Sequence, residues 1–331
     1  MYQKAIHRLA SRPSINKKLL IMLLLVLLAA AAYMLVNVHF DKPKLLRYAM
    51  KIRSPKLAAM LITATAIGAA SIIFQSIINN RIVTPCLLGM NSLYTLIHTL
   101  VYFFFGASSM LAANANIFFA VDLLVMGLTA TFIYGFLFKK AKYNVLYVLL
   151  IGTVLTSFFS SIQSTLVRVM DPNSYDSLLS SLVASFNNIN SEIIVFSALV
   201  LIATAFVLRR ELALLDVISL GKDQAINLGV DYDKCIKRLL LGVTICIAVA
   251  TAMVGPISFL GLIIANLTRQ ILRTYRHRQL IAGAALFGII VLVGGQLIVE
   301  HIFTYSVPIG VFISVAGGIY FMYLLMTNRR V

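Results

Sequence analysis

"LLLGVTICIAVATAMVGPISFLGLIIANLT", residues 239–268, runs for 30 residues without a charge. As one helix it would measure about 45 Å, well beyond a hydrocarbon core of roughly 30 Å. Gly255-Pro256 lies near its middle, and proline cannot continue a helical hydrogen-bond ladder. The stretch therefore predicts two helices broken at 255–256, the second short and buried in a bundle. Its division sets the topology of the chain, because one crossing more or fewer moves every later loop to the opposite side of a membrane.

The rest of the sequence favours a membrane. The 331 residues are 60% apolar and only 12% charged, with a mean hydropathy of +0.94. A soluble domain of that composition would lack polar surface, so the expected class is an all-α polytopic membrane protein. Apolar runs lie at about 19–38, 57–78, 84–105, 116–138, 144–167, 193–208, 239–255, 256–272, 280–298 and 308–327. Ten crossings put both termini on one side. With that side cytoplasmic, 21 of the 28 Lys and Arg fall inside, including Lys4, Arg8, Arg12, Lys142, Arg329 and Arg330. With 239–268 undivided the bias shrinks to 15 against 13, so the positive-inside rule supports the break. The first run is too long for a signal peptide and lacks a clear small-residue cleavage site, which predicts a retained span.

The net charge of +17 sits at the ends of apolar runs and not on a basic face, which argues against nucleic acid. Cys86, Cys235 and Cys246 have neither disulfide nor zinc spacing. No ring of His, Asp or Glu would hold a bare metal ion, and no catalytic cluster is visible, so neither a cofactor nor enzymatic activity is expected. No Walker A pattern occurs, and "VGGQL" at 293–297 lies inside an apolar run. An ATP-driven process would need its ATPase on another chain.

"KLLRYAMKIRSPK", residues 44–56, carries five bases and no acid. Parity places it outside as a loop, against the local charge rule. Two readings stay open: the bases snorkel to lipid headgroups, or they form a docking patch for an acidic soluble partner. Residues 209–238 form the longest charged segment. Gly221 and Gly229 can end short helices there, and Leu220, Ala225 and Leu228 are expected to form a small apolar face. The segment is either an amphipathic connector or a knob protruding into the cytosol.

Several polar residues fall within apolar runs. Gln75 and Asn79 lie four apart at the inner end of the second run, which puts them on one helix face, as helix-to-helix glue or as an inner gate. Thr153, Thr156, Ser157, Ser160 and Ser161 form a stripe that either permits close helix approach or lines an aqueous path. Asp122 is expected near the interface, and His98, likewise alone in its run, as a packed, hydrogen-bonded histidine. Asp171-Pro172-Asn173 signals a turn before a short helix at 174–186.

At the cytosolic segment, "SLGKDQAINLGV" (219–230) resembles the L-G-x-x-x-A-x-x-L-G-V pattern of FecCD/BtuC-type permeases. "RSPK…GAASIIFQSIINNRIVTPCLLG" (53–89), "GPISFLGLIIANLTR" (255–269) and "VPIGVFISVAGGIYFMYLL" (307–325) agree with further blocks, in order. The resemblance implies one permease domain spanning 1–331, with ten helices in the BtuC-like type II importer fold. It implies a transport subunit for ferric siderophore, or alternatively vitamin B12 or haem, in the bacterial inner membrane. Two cytoplasmic ABC ATPase subunits would grip Leu220, Gly221, Ala225, Leu228 and Gly229. An extracytoplasmic siderophore-binding protein would dock on Arg53 and Lys56, which match R-x-P-R. The family's P-H is Ala265-Asn266 here, its G-x-P is Gly317-Gly318-Ile319, and Glu300 stands where an Arg is expected. These departures suit a chain paired with a second, different permease subunit. An ion-coupled secondary transporter, the competing class, would need more intramembrane charge.

Overall fold

The computed structural model describes residues 14–36, 43–109, 114–140, 145–187, 189–304 and 307–327. Lys4, Arg8, Arg12, Lys142, Arg329 and Arg330 lie outside these residues, as does the end of the first apolar run. Helix is the only regular secondary structure among the described residues, as backbone groups in hydrocarbon must be satisfied within the segment. The helices are α1 (Ile15–Leu35), α2 (Pro43–Ile78), α3 (Met90–Phe105), α4 (Ala115–Lys140), α5 (Val145–Val169), α6 (Pro172–Leu182) and α7 (Ser191–Val207). Three short helices follow, α8 (Arg209–Ala213), α9 (Leu215–Ile218) and α10 (Lys222–Asn227), and then α11 (Tyr232–Val254), α12 (Leu260–Leu272), α13 (His277–His301) and α14 (Ile309–Thr327). Six of these, α1, α2, α4, α5, α11 and α13, are long and apolar enough to cross a membrane; α7, α12 and α14 are shorter apolar helices.

The break in 239–268 is present. α11 stops at Val254, and Gly255 takes φ +89° while its N–H donates to Thr251 O. The Val254 carbonyl accepts from the Ser185 N–H at 2.9 Å, so the segment after α6 is stitched to the break. A Cβ on Gly255 would lie 2.9 Å from the Ala184 Cα, so both the dihedral and the space demand glycine. Gly255→Val is expected to destabilise the protein by about 2 kcal/mol or more, seen as a lower midpoint in thermal unfolding of the purified chain. An unchanged midpoint would show that the break tolerates a side chain.

The core is built on α2, which packs against both α11 and α13. Met60, Ile72 and Phe74 of α2, Leu239 and Ile247 of α11, and Leu280 and Leu292 of α13 are fully buried. At Gly68 the α2 and α13 backbones approach so closely that a Cβ would meet the Ala284 carbonyl at 3.1 Å. α1 and α5 lie at the periphery, with few of their residues buried.

One expectation is corrected. Residues 44–56 are not a loop but the first turns of α2, a 36-residue helix about 54 Å long. Such a helix outruns the bilayer and carries its basic end beyond it. Pro55 removes one donor from the ladder, between the exposed residues Ile52 and Ser54 and the first buried turn. The short helix expected at 174–186 is α6, capped by the Asp171 carboxylate, which accepts from the Asn173 and Ser174 N–H groups.

Candidate functional site: the two ends of the bundle

At one end the chain turns through α8, α9 and α10. Gly221 (φ +106°) and Gly229 (φ +80°) bracket α10. The Val230 N–H donates to Ala225 O and the Gly229 N–H to Ile226 O, which closes the helix tightly. The apolar face expected of Leu220, Ala225 and Leu228 divides here, because one turn of helix separates its members. Ala225 is fully buried and anchors α10 to the bundle, while Leu220 and Leu228 are 54% and 63% exposed. Ile226, also half exposed, joins them. The knob thus carries three exposed apolar side chains among the exposed polar residues Lys222, Asp223, Gln224 and Asn227.

Beneath the knob, a polar chain runs inward. Asp216 Oδ1 on α9 accepts from the backbone N–H of His277 at 2.9 Å and from its ring Nδ1 at 2.5 Å. With Nδ1 so engaged, His277 Nε2 meets Ser76 Oγ of α2 at 2.8 Å. Arg269 of α12 donates to the same Ser76 oxygen at 3.0 Å, and Ser76 donates to Ile72 O. One connected network therefore joins the knob's base to the ends of α2, α12 and α13. Burial would raise the Asp216 carboxyl, but hydrogen bonds from the His277 backbone and ring, with the charges of His277 and Arg276, outweigh it and hold Asp216 below the usual carboxylate range. Glu211 of α8 behaves alike: partial burial is outweighed by its 2.6 Å bond from Arg238 of α11. Neither Ser76, Asp216 nor His277 was expected from sequence. A histidine at a helix start with an acid 61 residues earlier leaves no local pattern.

Gln75 and Asn79 do not share a helix face. α2 ends at Ile78, and Asn79 leaves it with φ +54°, a left-handed conformation that asparagine tolerates. Gln75 Nε2 instead donates to Arg81 O at 2.7 Å, and Asn266 Nδ2 donates to the same carbonyl at 2.9 Å. Asn266, at the family's histidine position, thus keeps a polar donor.

At the opposite end, Arg53 and Lys56 do not project freely. Arg53 Nη1 donates to the carbonyls of Tyr33, Met34 and Val36, where α1 leaves three acceptors unfilled. Lys56 is buried, donates to Asn187 Oδ1 at 3.1 Å and feels the charge of Glu300. Glu300 is buried too, accepting from Tyr33 Oη at 3.0 Å and Gln296 Nε2 at 2.8 Å. Among the described residues of α2, the exposed cations are Lys44, Arg47 and Lys51, at i, i+3 and i+7 along one face.

The Ser/Thr stripe of α5 also divides. Thr156 Oγ1 sits where a Cβ on Gly89 would approach to 3.1 Å, and Ser160 Oγ lies 3.5 Å from Ser92 Oγ of α3, so these two serve close packing. Thr153, Ser157 and Ser161 are exposed beside Leu150, Val154 and Phe158. Asp122 lies buried between helices, and His98 is packed and hydrogen-bonded as expected, with that acid as its partner. Both are buried, with His98 Nε2 2.8 Å from Asp122 Oδ2 and the imidazole flanked by Tyr94 and Phe118. An acid placed among apolar helices takes the nearest partner.

A bundle of membrane-length helices with an apolar knob at one end and a basic helix at the other defines a polytopic transport permease. The chain belongs to the FecCD transport family, which matches residues 17–327. It is 44% identical to the petrobactin import system permease protein YclO of Bacillus subtilis over 86% of this chain and 90% of that protein. The petrobactin import permease FatC of Bacillus anthracis is 31% identical over 88% and 82% of the two chains. A solved inward-facing structure of a metal-chelate type ABC transporter superposes over 95% of this chain and 99% of its own, with a TM-score of 0.78 at 22% identity, and so shares the fold. Transport permease subunits of this kind are not enzymes.

Proposed function

We propose that the protein is the membrane permease of an ATP-driven ferric-siderophore importer in the bacterial cytoplasmic membrane. It would cross ten times, keep both termini in the cytosol and work by alternating access. The apolar knob carries this reading: Leu220, Ile226 and Leu228 are exposed on a charged segment, as a surface shaped to enter a groove of another protein would be. Two ATPase subunits would receive the knobs of a permease pair, hydrolysing ATP below while the bundle moves. The uncovered face of α5, with Thr153 and Ser157 among exposed apolar residues, supports a second permease subunit. Burial of Glu300 at a position where the family pattern has Arg supports that subunit being a different chain. An extracytoplasmic siderophore-binding protein would dock on Lys44, Arg47 and Lys51, with Arg53 and Lys56 holding the helix that presents them. Gln75 and Asn79 would border the inner mouth. No resident cofactor is required.

The two petrobactin relatives make ferric petrobactin the first substrate to test. A strain lacking this permease should regain uptake of radioiron-loaded petrobactin when the chain is restored with its partners. Single cysteines placed at Leu228 and Lys44, with Cys86, Cys235 and Cys246 replaced, should react with an impermeant maleimide from opposite faces of the membrane. Labelling of both from one face would reject the proposal.

A further inference from the structure

The knob end holds a cavity of about 730 Å³ lined by three arginines, Arg81, Arg269 and Arg273. None of the residues lining it is acidic. Asp216, the carboxylate tied to this region, is occupied by His277 and does not line it. Arg269 has one nitrogen on Ser76, while its buried Nε meets no acceptor. A partly buried guanidinium without an opposing charge is costly unless an anion completes it.

The fold fixes the positions of these cations with unusual care. Gln75, only 2% exposed, and Asn266 both grip the carbonyl of Arg81 and so set that residue at the cavity rim, while Arg81's side chain stays exposed. Gln75 spends its amide nitrogen on this task, and its buried Oε1 has no partner. Arg273 closes α12 with φ +51°, a left-handed conformation that costs an ordinary side chain about 1 kcal/mol or more. Asn79, also left-handed, lines the same cavity. Both residues end helices in this conformation and turn the chain at the cavity's edge.

We propose that this cavity is an oxyanion site that binds a phosphate group, an activity separate from passage of the chelate. Guanidinium forks match phosphate oxygens, and the neighbouring amide and hydroxyl groups supply neutral donors. The same chemistry is offered by soluble phosphate and by the headgroup of an anionic phospholipid.

The test uses the full chain in phosphatidylcholine nanodiscs, read by hydrogen exchange across residues 79–82 and 266–274. Inorganic phosphate is titrated against chloride at matched ionic strength. A second arm replaces part of the phosphatidylcholine by phosphatidylglycerol. Protection by phosphate identifies a soluble source, and protection by phosphatidylglycerol alone identifies the headgroup; either supports the site. R81Q keeps the carbonyl that Gln75 and Asn266 hold, and should weaken binding about tenfold, the loss expected for one charge-assisted contact. R269Q should do the same, with a thermal-unfolding transition confirming that each variant is folded. No protection in either arm, or unchanged binding in both variants, overturns the proposal. Protection that arises only when the ATPase subunits are added overturns it as well, because the arginines would then be meeting carboxylates of a partner.

Discussion

Changing Leu220 and Leu228 together to glutamate should abolish uptake without preventing membrane insertion. Each exposed leucine buried in a partner's groove contributes about 1.5–3 kcal/mol. Losing both, and forcing two carboxylates toward that groove, should weaken association with the ATPase by about a hundredfold or more. The measurement is co-purification of the ATPase subunits with tagged permease, beside the uptake rate in the same cells. Asp233→Asn provides the contrast on the same segment. It breaks the Lys222–Asp233 pair at 3.3 Å, whose members are both substantially exposed, and such pairs contribute little. Uptake should stay within about twofold of the original. Normal co-purification of the double glutamate variant would show that the knob does not dock.

The helices were legible in the sequence because each apolar run is long and most are bounded by charge. Even the ambiguous run at 239–268 resolved, since Gly255-Pro256 has one physical consequence. Residues 44–56 were misread because a run of bases with a proline looks like a loop. Local composition does not register that α2 can project beyond the bilayer as helix. The roles of Arg53 and Lys56 were obscured for a different reason. Their partners, the last carbonyls of α1 and the side chain of Asn187, lie 17 to 131 residues away. The segment 209–238 was readable as glycine-bounded turns, yet which side chains face outward depended on how α10 sits against α11. The network through Ser76, Asp216, Arg269 and His277 was invisible, as it joins four helices far apart in sequence. Polar residues at the ends of apolar runs were its only trace.

That network yields the second large effect. If ATP-driven movement of the knob reaches the bundle through Asp216 and His277, then D216N and H277F should separate hydrolysis from transport. Asp216 makes two bonds to His277, and hydrogen bonds to charged groups are worth about 1.5–3 kcal/mol each. Uptake should fall about tenfold to a hundredfold. ATP hydrolysis by the assembled transporter should persist, because the exposed leucines proposed to meet the ATPase are untouched. S76A removes only the inner link and should give a smaller loss in the same direction. The pH dependence supplies an independent check. The Asp216 carboxyl is depressed in the folded protein, so its contribution is complete above the ordinary carboxylate value and is lost as pH falls through the depressed one. Hydrogen-exchange protection at residues 214–219, corrected for the intrinsic pH dependence of amide exchange, should therefore be steady through neutral and mildly acidic pH and fall only below the usual carboxylate range. D216N should remove that acid-induced loss of protection. Unchanged ratios of substrate moved to ATP hydrolysed in both D216N and H277F would mean that the knob's motion reaches α2, α12 and α13 by another route, through the buried anchor Ala225 or the Glu211–Arg238 bond between α8 and α11.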